Sequence, residues 1–263
     1  MPELPDLEVA RKYVNATSLH QKIRSVEVRD RRILGDISAR GINDALTGRR
    51  FEATRRHGKN LFVGSDGGGW MLVHLGMTGR LWYFRGMDND PPHDRFLVSF
   101  EGGFHLALDD SRMFGKVDLV EDPDEYIRRK KLGPDPLSLD AASFRERLEG
   151  RRGGVKAALM NQEVVAGIGN IYSDEILFQA CLHPMRGVAG LDGETLEELY
   201  TQTLRVLGAA IDRAADPQEL PDSYLLPHRR EGERCPRGNG DIQSTRAAGR
   251  TAYYCPACQP EQR

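Results

Sequence analysis

The first three residues carry the most reactive chemistry the chain can offer. Removal of Met1 would leave Pro2 at the terminus with the carboxylate of Glu3 directly behind it. A terminal proline is a secondary amine. Its attack on a sugar aldehyde carbon gives an iminium that stays cationic without a proton, the electron sink that a Schiff-base lysine otherwise supplies. An α-amino group titrates near ~7.7–8.0 against ~10.4 for lysine, so a usable fraction is nucleophilic at neutral pH. By itself a Met-Pro start reads equally as an inert processed terminus.

Two further segments add chemistry. In the run from Asn161 to Leu177, Gly167 and Gly169 let the backbone turn tightly and approach a ligand. Asn170 then starts a helix whose free N–H groups favour an anion such as a DNA phosphate. A dinucleotide fingerprint fails, because its third glycine would fall at Tyr172 and no strand precedes it. A tight helix–helix connection with a capping asparagine is the competing reading. At the other end, Cys235-Pro-Arg-Gly and Cys255-Pro-Ala-Cys258 resemble two zinc-ribbon knuckles, with Gly238 where a fourth thiolate belongs. The sixteen residues between Gly238 and Cys255 fit a hairpin finger, with Arg246 and Arg250 projecting from its loop toward phosphate. Three of the four cysteines crowd this tail, which argues for metal ligation or its remnant rather than a secreted disulfide framework.

These groups need scaffolds. Residues 4–18 predict a helix, with Pro5 in its first turn and Leu4, Leu7, Ala10 and Val14 on one stripe. Short strands with Gly and Asp punctuation follow at 23–29, 51–57, 61–65, 71–75, 80–84, 95–100, 104–108 and 116–120, the pattern of a β-sandwich or barrel. Lys130–Pro136 reads as a linker. Helices are expected at 143–149, 154–160, 172–181 and 194–215, the last ended by Pro217.

At 263 residues the chain has room for two domains, and 39% hydrophobic content can build real cores. Its 37 basic and 39 acidic residues nearly cancel, so net charge announces no polyanionic partner. Distribution is more informative: Arg49, Arg50, Arg55, Arg56 and Lys59 cluster against Glu52 alone, and residues 228–263 hold seven arginines against four acids. Such segregation is consistent with a phosphate-binding face and equally with a solvated surface. Neither an apolar run of membrane length nor a signal-peptide core is present, so the expected compartment is the cytoplasm or nucleoid.

Taken together, the motifs resemble those of the formamidopyrimidine-DNA glycosylase/endonuclease VIII family, closer to the formamidopyrimidine branch. They are Pro-Glu-Leu-Pro at the start, His57-Gly-Lys-Asn-Leu, His74-Leu-Gly-Met-Thr-Gly, Asp110-Ser-Arg-Met-Phe-Gly, the helix–two-turn–helix segment ending Leu182-His183-Pro184, and the terminal finger. The resemblance covers essentially the whole length. It implies Pro2 as nucleophile at the sugar C1′, Glu3 as general acid/base, Lys59 as a catalytic-support and phosphate contact, and Arg250 as a catalytic phosphate clamp opposite Asn170. It implies phosphate contacts for His74 and His93. Met77, Arg112 and Phe114 match the trio that fills the gap left by an everted nucleotide, two apolar wedges and a hydrogen-bonding arginine. Without the resemblance, Met77 and Phe114 would be assigned to the core. Cys235, Cys255 and Cys258 match zinc ligands, and occupancy stays open because of Gly238. Met113 stands where many relatives carry a second arginine. Ala214–Ser223 lacks the glycine-rich loop of relatives that read 8-oxoguanine, and His228-Arg229-Arg230 replaces the usual Tyr-Gly-Arg.

The expected fold is α+β and multidomain. An N-terminal β-sandwich with a leading helix (1–132) precedes a helix–two-turn–helix domain (133–225) and a zinc-finger-like β-hairpin (226–263), the domains flanking a basic cleft. The expected function is a monomeric bifunctional DNA glycosylase/abasic-site lyase acting on damaged double-stranded DNA by β,δ-elimination, with no organic cofactor and no membrane. A damage-binding protein without turnover and a zinc-ribbon nucleic-acid adaptor are the competing classes. Retention of Pro2, Glu3, Lys59 and Arg250 argues against the first, and the reactive terminus against the second.

Overall fold

The computed structural model describes residues 1–261. They divide into two compact units, one of Met1–Pro2 with Asp6–Lys131, the other of Glu3–Pro5 with Leu132–Arg263. Helix α1 (Leu4–Thr17) therefore begins in the second unit and continues in the first.

The first unit is a sandwich of two antiparallel four-stranded sheets. Strands β1 (Ile23–Val28), β6 (Asp94–Phe100), β7 (Phe104–Asp109) and β5 (Arg80–Arg85) form one sheet in that order. Strands β2 (Phe51–His57), β3 (Asn60–Ser65), β4 (Trp70–His74) and β8 (Lys116–Val120) form the other. Alternation along each strand sends one set of side chains inward. Phe51, Leu61, Val63, Val73, Phe96, Val98, Leu106 and Leu108 thus meet Leu7, Ala10 and Val14 of α1 in a single core. The opposite face of the second sheet is also apolar: Phe62, Leu72 and Val120 are covered by Tyr126 and Ile127.

Tyr126 and Ile127 lie on a helix that the sequence reading overlooked, α3 (Pro123–Arg129), capped by Asp122 with Pro123 in its first turn. A second overlooked helix, α2 (Ala39–Leu46), is capped by Ser38 and buries Ile42 and Leu46. The basic stretch at 49–59 is less free than its composition suggests, since Arg56 pairs with Glu8 at 3.0 Å and Arg55 with Asp124.

The second unit contains α4 (Ala141–Leu148), α5 (Val155–Met160), α6 (Asn170–Gln179), α7 (Gly193–Asp212) and the hairpin β9 (Gln243–Ala247)–β10 (Arg250–Tyr254). Helix α7 ends earlier than expected, because Ala214 and Ala215 adopt positive φ of 53° and 58° and close it before Pro217 matters. Cys181 does the same for α6 at φ 56°, with the Leu182 N–H reaching back to Leu177 O at 2.9 Å. The Gly133–Pro134 segment is not a loose linker. Gly133 N–H donates to Gln162 O at 2.7 Å, and Ala166 N–H to Pro134 O at 2.9 Å. A Cβ at Gly133 would lie 2.6 Å from the carbonyl oxygens of Glu163 and Val164, which explains the glycine.

Candidate active site and nucleic-acid interface

Two sets of groups are organised, one in each unit. In the second unit the centre is Glu3, whose side chain is fully buried. Its carboxylate accepts N–H groups from Gly169 (2.7 Å), Ile171 (2.8 Å) and Tyr172 (3.2 Å). These are the first amides of α6, where unpaired donors and the helix dipole favour an anion. The expectation that they stay open for a DNA phosphate is corrected by this contact: the protein's own carboxylate takes them. The α5–α6 connection is shaped to present them. Gln162 donates to Met160 O and Ile168 O at 2.8 Å each and accepts from Gly167 N–H at 2.9 Å, and Gly167 sits at φ 109°. Leu4 N–H donates to Gly167 O at 3.0 Å, so the backbone immediately after Glu3 is fixed as well. Pro2, one residue earlier, is half-buried and here carries Met1 on its nitrogen.

Asn170 donates through Nδ2 to Thr251 O at 3.1 Å, which places it beside Arg250. Arg250 is exposed and follows the Ala248–Gly249 turn, both residues at positive φ. Arg246 lies within β9 rather than in the loop and donates to Gly249 O at 3.3 Å. Beneath this junction lies a network that the sequence reading missed. Asp174 is buried, paired through Oδ1 with the buried Lys156 and through Oδ2 with Arg229 at 2.7 Å. Lys156 also donates to Ser173 Oγ at 3.0 Å and Asn170 O at 3.1 Å. Burial draws the Lys156 pKa below the lysine range, with the Asp174 charge opposing. Arg229, the residue that breaks the usual Tyr-Gly-Arg pattern, stacks its guanidinium 4.7 Å from the Tyr253 ring centroid. A buried lysine and aspartate eighteen positions apart leave no local signal; the one clue was Arg229 as a departure.

In the first unit, Asp110 organises the loops that carry Met77, Arg112 and Phe114. Its Oδ1 accepts the Thr78 hydroxyl at 2.5 Å and Arg112 N–H at 3.2 Å, and its Oδ2 accepts Gly115 N–H at 2.7 Å. Burial alone would raise its pKa, but these donors outweigh it and the pKa falls. Gly76, at φ 63°, packs directly on the Phe114–Gly115 backbone. The Arg112 guanidinium lies 5.3 Å from the Phe114 ring centroid, and Phe114 is 51% exposed, which is incompatible with a core role. Met77 is half-buried on the neighbouring loop.

Lys59 stands at the tip of the β2–β3 hairpin, next to Gly58 at φ 55°. His74 ends β4, and its Nδ1 accepts Gly76 N–H at 3.0 Å, so the neutral ring carries its proton on Nε2. Burial and then the nearby Lys59 charge lower the His74 pKa, which favours that neutral form. His93 is exposed at the start of β6. Its backbone N–H donates to Asp109 Oδ1 at 2.9 Å, and Asp109 Oδ2 accepts from Arg80 at 2.9 Å.

The three tail cysteines converge. Cys235, Cys255 and Cys258 are buried with Phe178, Leu225 and Ile242, and their sulfurs all lie within 4.8 Å of one another. Zn–S bonds of about 2.3 Å in a tetrahedron set thiolates roughly 3.8 Å apart. The 3.7 Å between the sulfurs of Cys235 and Cys258 fits that edge. Two carboxylates near Cys235 in sequence, Asp241 and Glu233, are not part of the cluster; Glu233 is paired with Arg230 instead.

The formamidopyrimidine-DNA glycosylase N-terminal domain model matches residues 1–117, and the corresponding helix–two-turn–helix domain model matches residues 132–220. A formamidopyrimidine-DNA glycosylase of Laribacter hongkongensis is 32% identical over 275 residues, covering 98% of this chain and all of the relative. The chain belongs to the formamidopyrimidine-DNA glycosylase family. It is thereby a DNA glycosylase of base excision repair, in a family with abasic-site lyase activity. A Cereibacter sphaeroides formamidopyrimidine-DNA glycosylase is 34% identical over 284 residues, again covering 98% of this chain and all of the relative. The Lactococcus lactis enzyme, solved non-covalently bound to DNA containing an abasic site, superposes with TM-score 0.88 at 29% identity, covering 98% of this chain and 100% of its own. The same Lactococcus enzyme has been solved with DNA containing a formamidopyrimidine lesion, also at TM-score 0.88 and 28% identity, with 98% and 100% coverage. Both overlooked helices lie beside family motifs rather than within them. No described helix is long and apolar enough to cross a membrane.

Proposed function

We propose that this glycosylase binds damaged double-stranded DNA as a monomer in the cytoplasm or nucleoid, everts an oxidised base, and cuts the strand through a Schiff base on Pro2. The observation that carries the reading is Glu3, a buried carboxylate held by three amides one residue after the nucleophile. Once Met1 is removed, the Pro2 nitrogen attacks the sugar C1′. The base leaves with the glycosidic electron pair and takes up a proton, and Glu3 shuttles protons to and from the opened sugar. The resulting iminium acidifies C2′–H. Loss of that proton expels the 3′-phosphate (β-elimination), and a second elimination expels the 5′-phosphate. Hydrolysis of the imine then frees Pro2 and a sugar fragment. The fixed geometry of Glu3 supports the acid/base role, since a positioned group avoids reorganisation at each step.

The remaining roles follow from position. Lys59, Asn170 and Arg250 contact phosphates flanking the lesion, with neutral His74 donating through Nε2 and His93 adding a further contact. Met77, Arg112 and Phe114 fill the void left by the lesion, which the exposure of Phe114 supports. Residues 1–132 form the catalytic domain, 133–225 the DNA-binding domain and 226–263 the finger, of which 262–263 lie outside the described residues. Cys235, Cys255 and Cys258 would hold zinc between the two knuckles of the finger; no chemical step passes through it.

Borohydride reduction with abasic DNA tests the reading. The expected product is a covalent adduct mapped by mass spectrometry to Pro2, lost in Pro2→Gly. An adduct on Lys59 would overturn the assignment. Glu3→Gln is expected to keep DNA binding and lose base release by about 100-fold or more, the scale of a general acid/base.

A further inference from the structure

Outside the reaction centre, the least explained feature is the cysteine cluster that lacks a fourth thiolate. Its three sulfurs are buried from the side of α6 by Phe178 and Leu225. Its remaining side is different. Gly238 and Asn239 are exposed, and no described atom beyond the adjacent residues lies within 4 Å of where a Gly238 Cβ would sit. Asn239 Nδ2 is 3.4 Å from Cys258 Sγ, and Asn239 O lies 4.0 Å from Cys255 Sγ. Such an outer contact orients the sulfur it touches but does not supply the missing fourth ligand. Closed four-coordinate geometry is what makes a structural zinc site tight.

The hairpin has a second means of staying in place. Tyr253 N–H donates to Asp174 Oδ2 at 3.2 Å, Asn170 to Thr251 O at 3.1 Å, and Gln259 Nε2 to Leu182 O at 2.8 Å. Arg237 lies 4.3 Å from the Phe178 ring centroid and donates to Gln179 Oε1 at 3.1 Å. These contacts tie the finger to α6 and the turn that follows it without involving the three clustered sulfurs.

We propose that Cys235, Cys255 and Cys258 form a three-thiolate zinc site whose fourth position is left unfilled on the side of the exposed Gly238–Asn239 turn. The site exchanges its ion readily, while the Asp174 and Phe178 contacts hold the hairpin in place. Zinc bound here is a guest of a finger that is already folded.

Zinc release from the full-length protein into a chromogenic chelator, followed with hydrogen exchange of residues 243–254, tests this. The zinc-loaded protein is expected to bind one ion per chain and to release it at least tenfold faster than Gly238→Cys. Hairpin amide protection should change less than threefold on stripping. Gly238 has φ 74°, where a side chain is strained, so Asn239→Cys provides a second added thiol and should slow release in the same direction. Cys258→Ser should lose stoichiometric zinc. Failure to bind zinc, release as slow as from both added-thiol variants, retention by Cys258→Ser, or loss of hairpin protection on stripping would each overturn the proposal. None of these readouts depends on the lyase chemistry.

Discussion

The Asp174 carboxylate accepts the backbone N–H of Tyr253 at 3.2 Å, so one buried side chain of α6 holds a strand of the terminal hairpin. The same oxygen receives Arg229, and the other receives Lys156. Three cationic or amide donors thus converge on a single carboxylate, which couples the hairpin's position to the charge balance inside the helical unit.

Replacing that carboxylate should be costly. Asp174→Ala leaves Lys156 buried and uncompensated, a change worth about 3–5 kcal/mol in comparable pairs. Chemical denaturation should show this loss, and hydrogen exchange should show the 250–254 strand opening first. A loss below ~1 kcal/mol would mean that water or Ser173 satisfies Lys156 without Asp174.

A pH dependence should arise in the sandwich. Burial pushes the Asp94 pKa up to about 7; Arg29, 3.0 Å away, opposes this and Asp90 reinforces it. The folded value exceeds the unfolded one of about 4. The stability contribution is therefore fully present below pH ~4 and lost as pH rises through 7. Asp94→Asn should gain on the wild type as pH rises from 5 to 8, then run parallel to it. Urea unfolding at each pH measures the gap, and a constant gap would exclude Asp94 as the source.

Phe114→Ala should impair excision of a paired lesion more than incision at a pre-formed abasic site. Stacking and wedge contacts of this kind are worth about 1–3 kcal/mol per base. Single-turnover rates on the two duplexes give the comparison. Equal losses would mark Phe114 as a structural support for the loop.

Affinity for an abasic-analogue duplex should fall steeply with salt. Arg250→Ala should reduce the log–log slope by about one unit, because one phosphate contact disappears. Fluorescence anisotropy between 50 and 200 mM salt is sufficient. An unchanged slope would remove Arg250 from the phosphate contacts.

The α+β architecture and the positions of its strands along the chain were legible because the sandwich strands are short and punctuated by Gly and Asp; their order in the two sheets was not. The two short helices were less legible. Each is set by a single cap, Ser38 or Asp122, and by apolar residues whose partners lie far away in sequence. The Pro2-Glu3 start was conspicuous, but the partner of Glu3 was not: the helix start at 170 read either as a phosphate site or as a tight helix–helix connection, and neither reading named Glu3. Helix α6 hid its purpose because it is buried on nearly every side. Asp174 and Glu175 therefore interrupt what would otherwise be an apolar run, and nothing local says that Lys156 and Leu226 N–H await them. Phe114 had the opposite problem, an apolar residue whose exposure only the folded loop reveals.

Gly76 has a wider bearing than its size suggests. A methyl group there would sit 2.3 Å from the Phe114 carbonyl carbon, so the two loops that carry Met77 and Phe114 meet backbone to backbone. They cannot move independently without breaking that seam or the Asp110 bonds that bridge it. In the proposed role as a wedge, its shape is set when the protein folds and its ordering entropy is spent before any DNA arrives. Discrimination would then rest on the duplex: base pairs that yield to a rigid probe would be sampled, and sound ones would resist it.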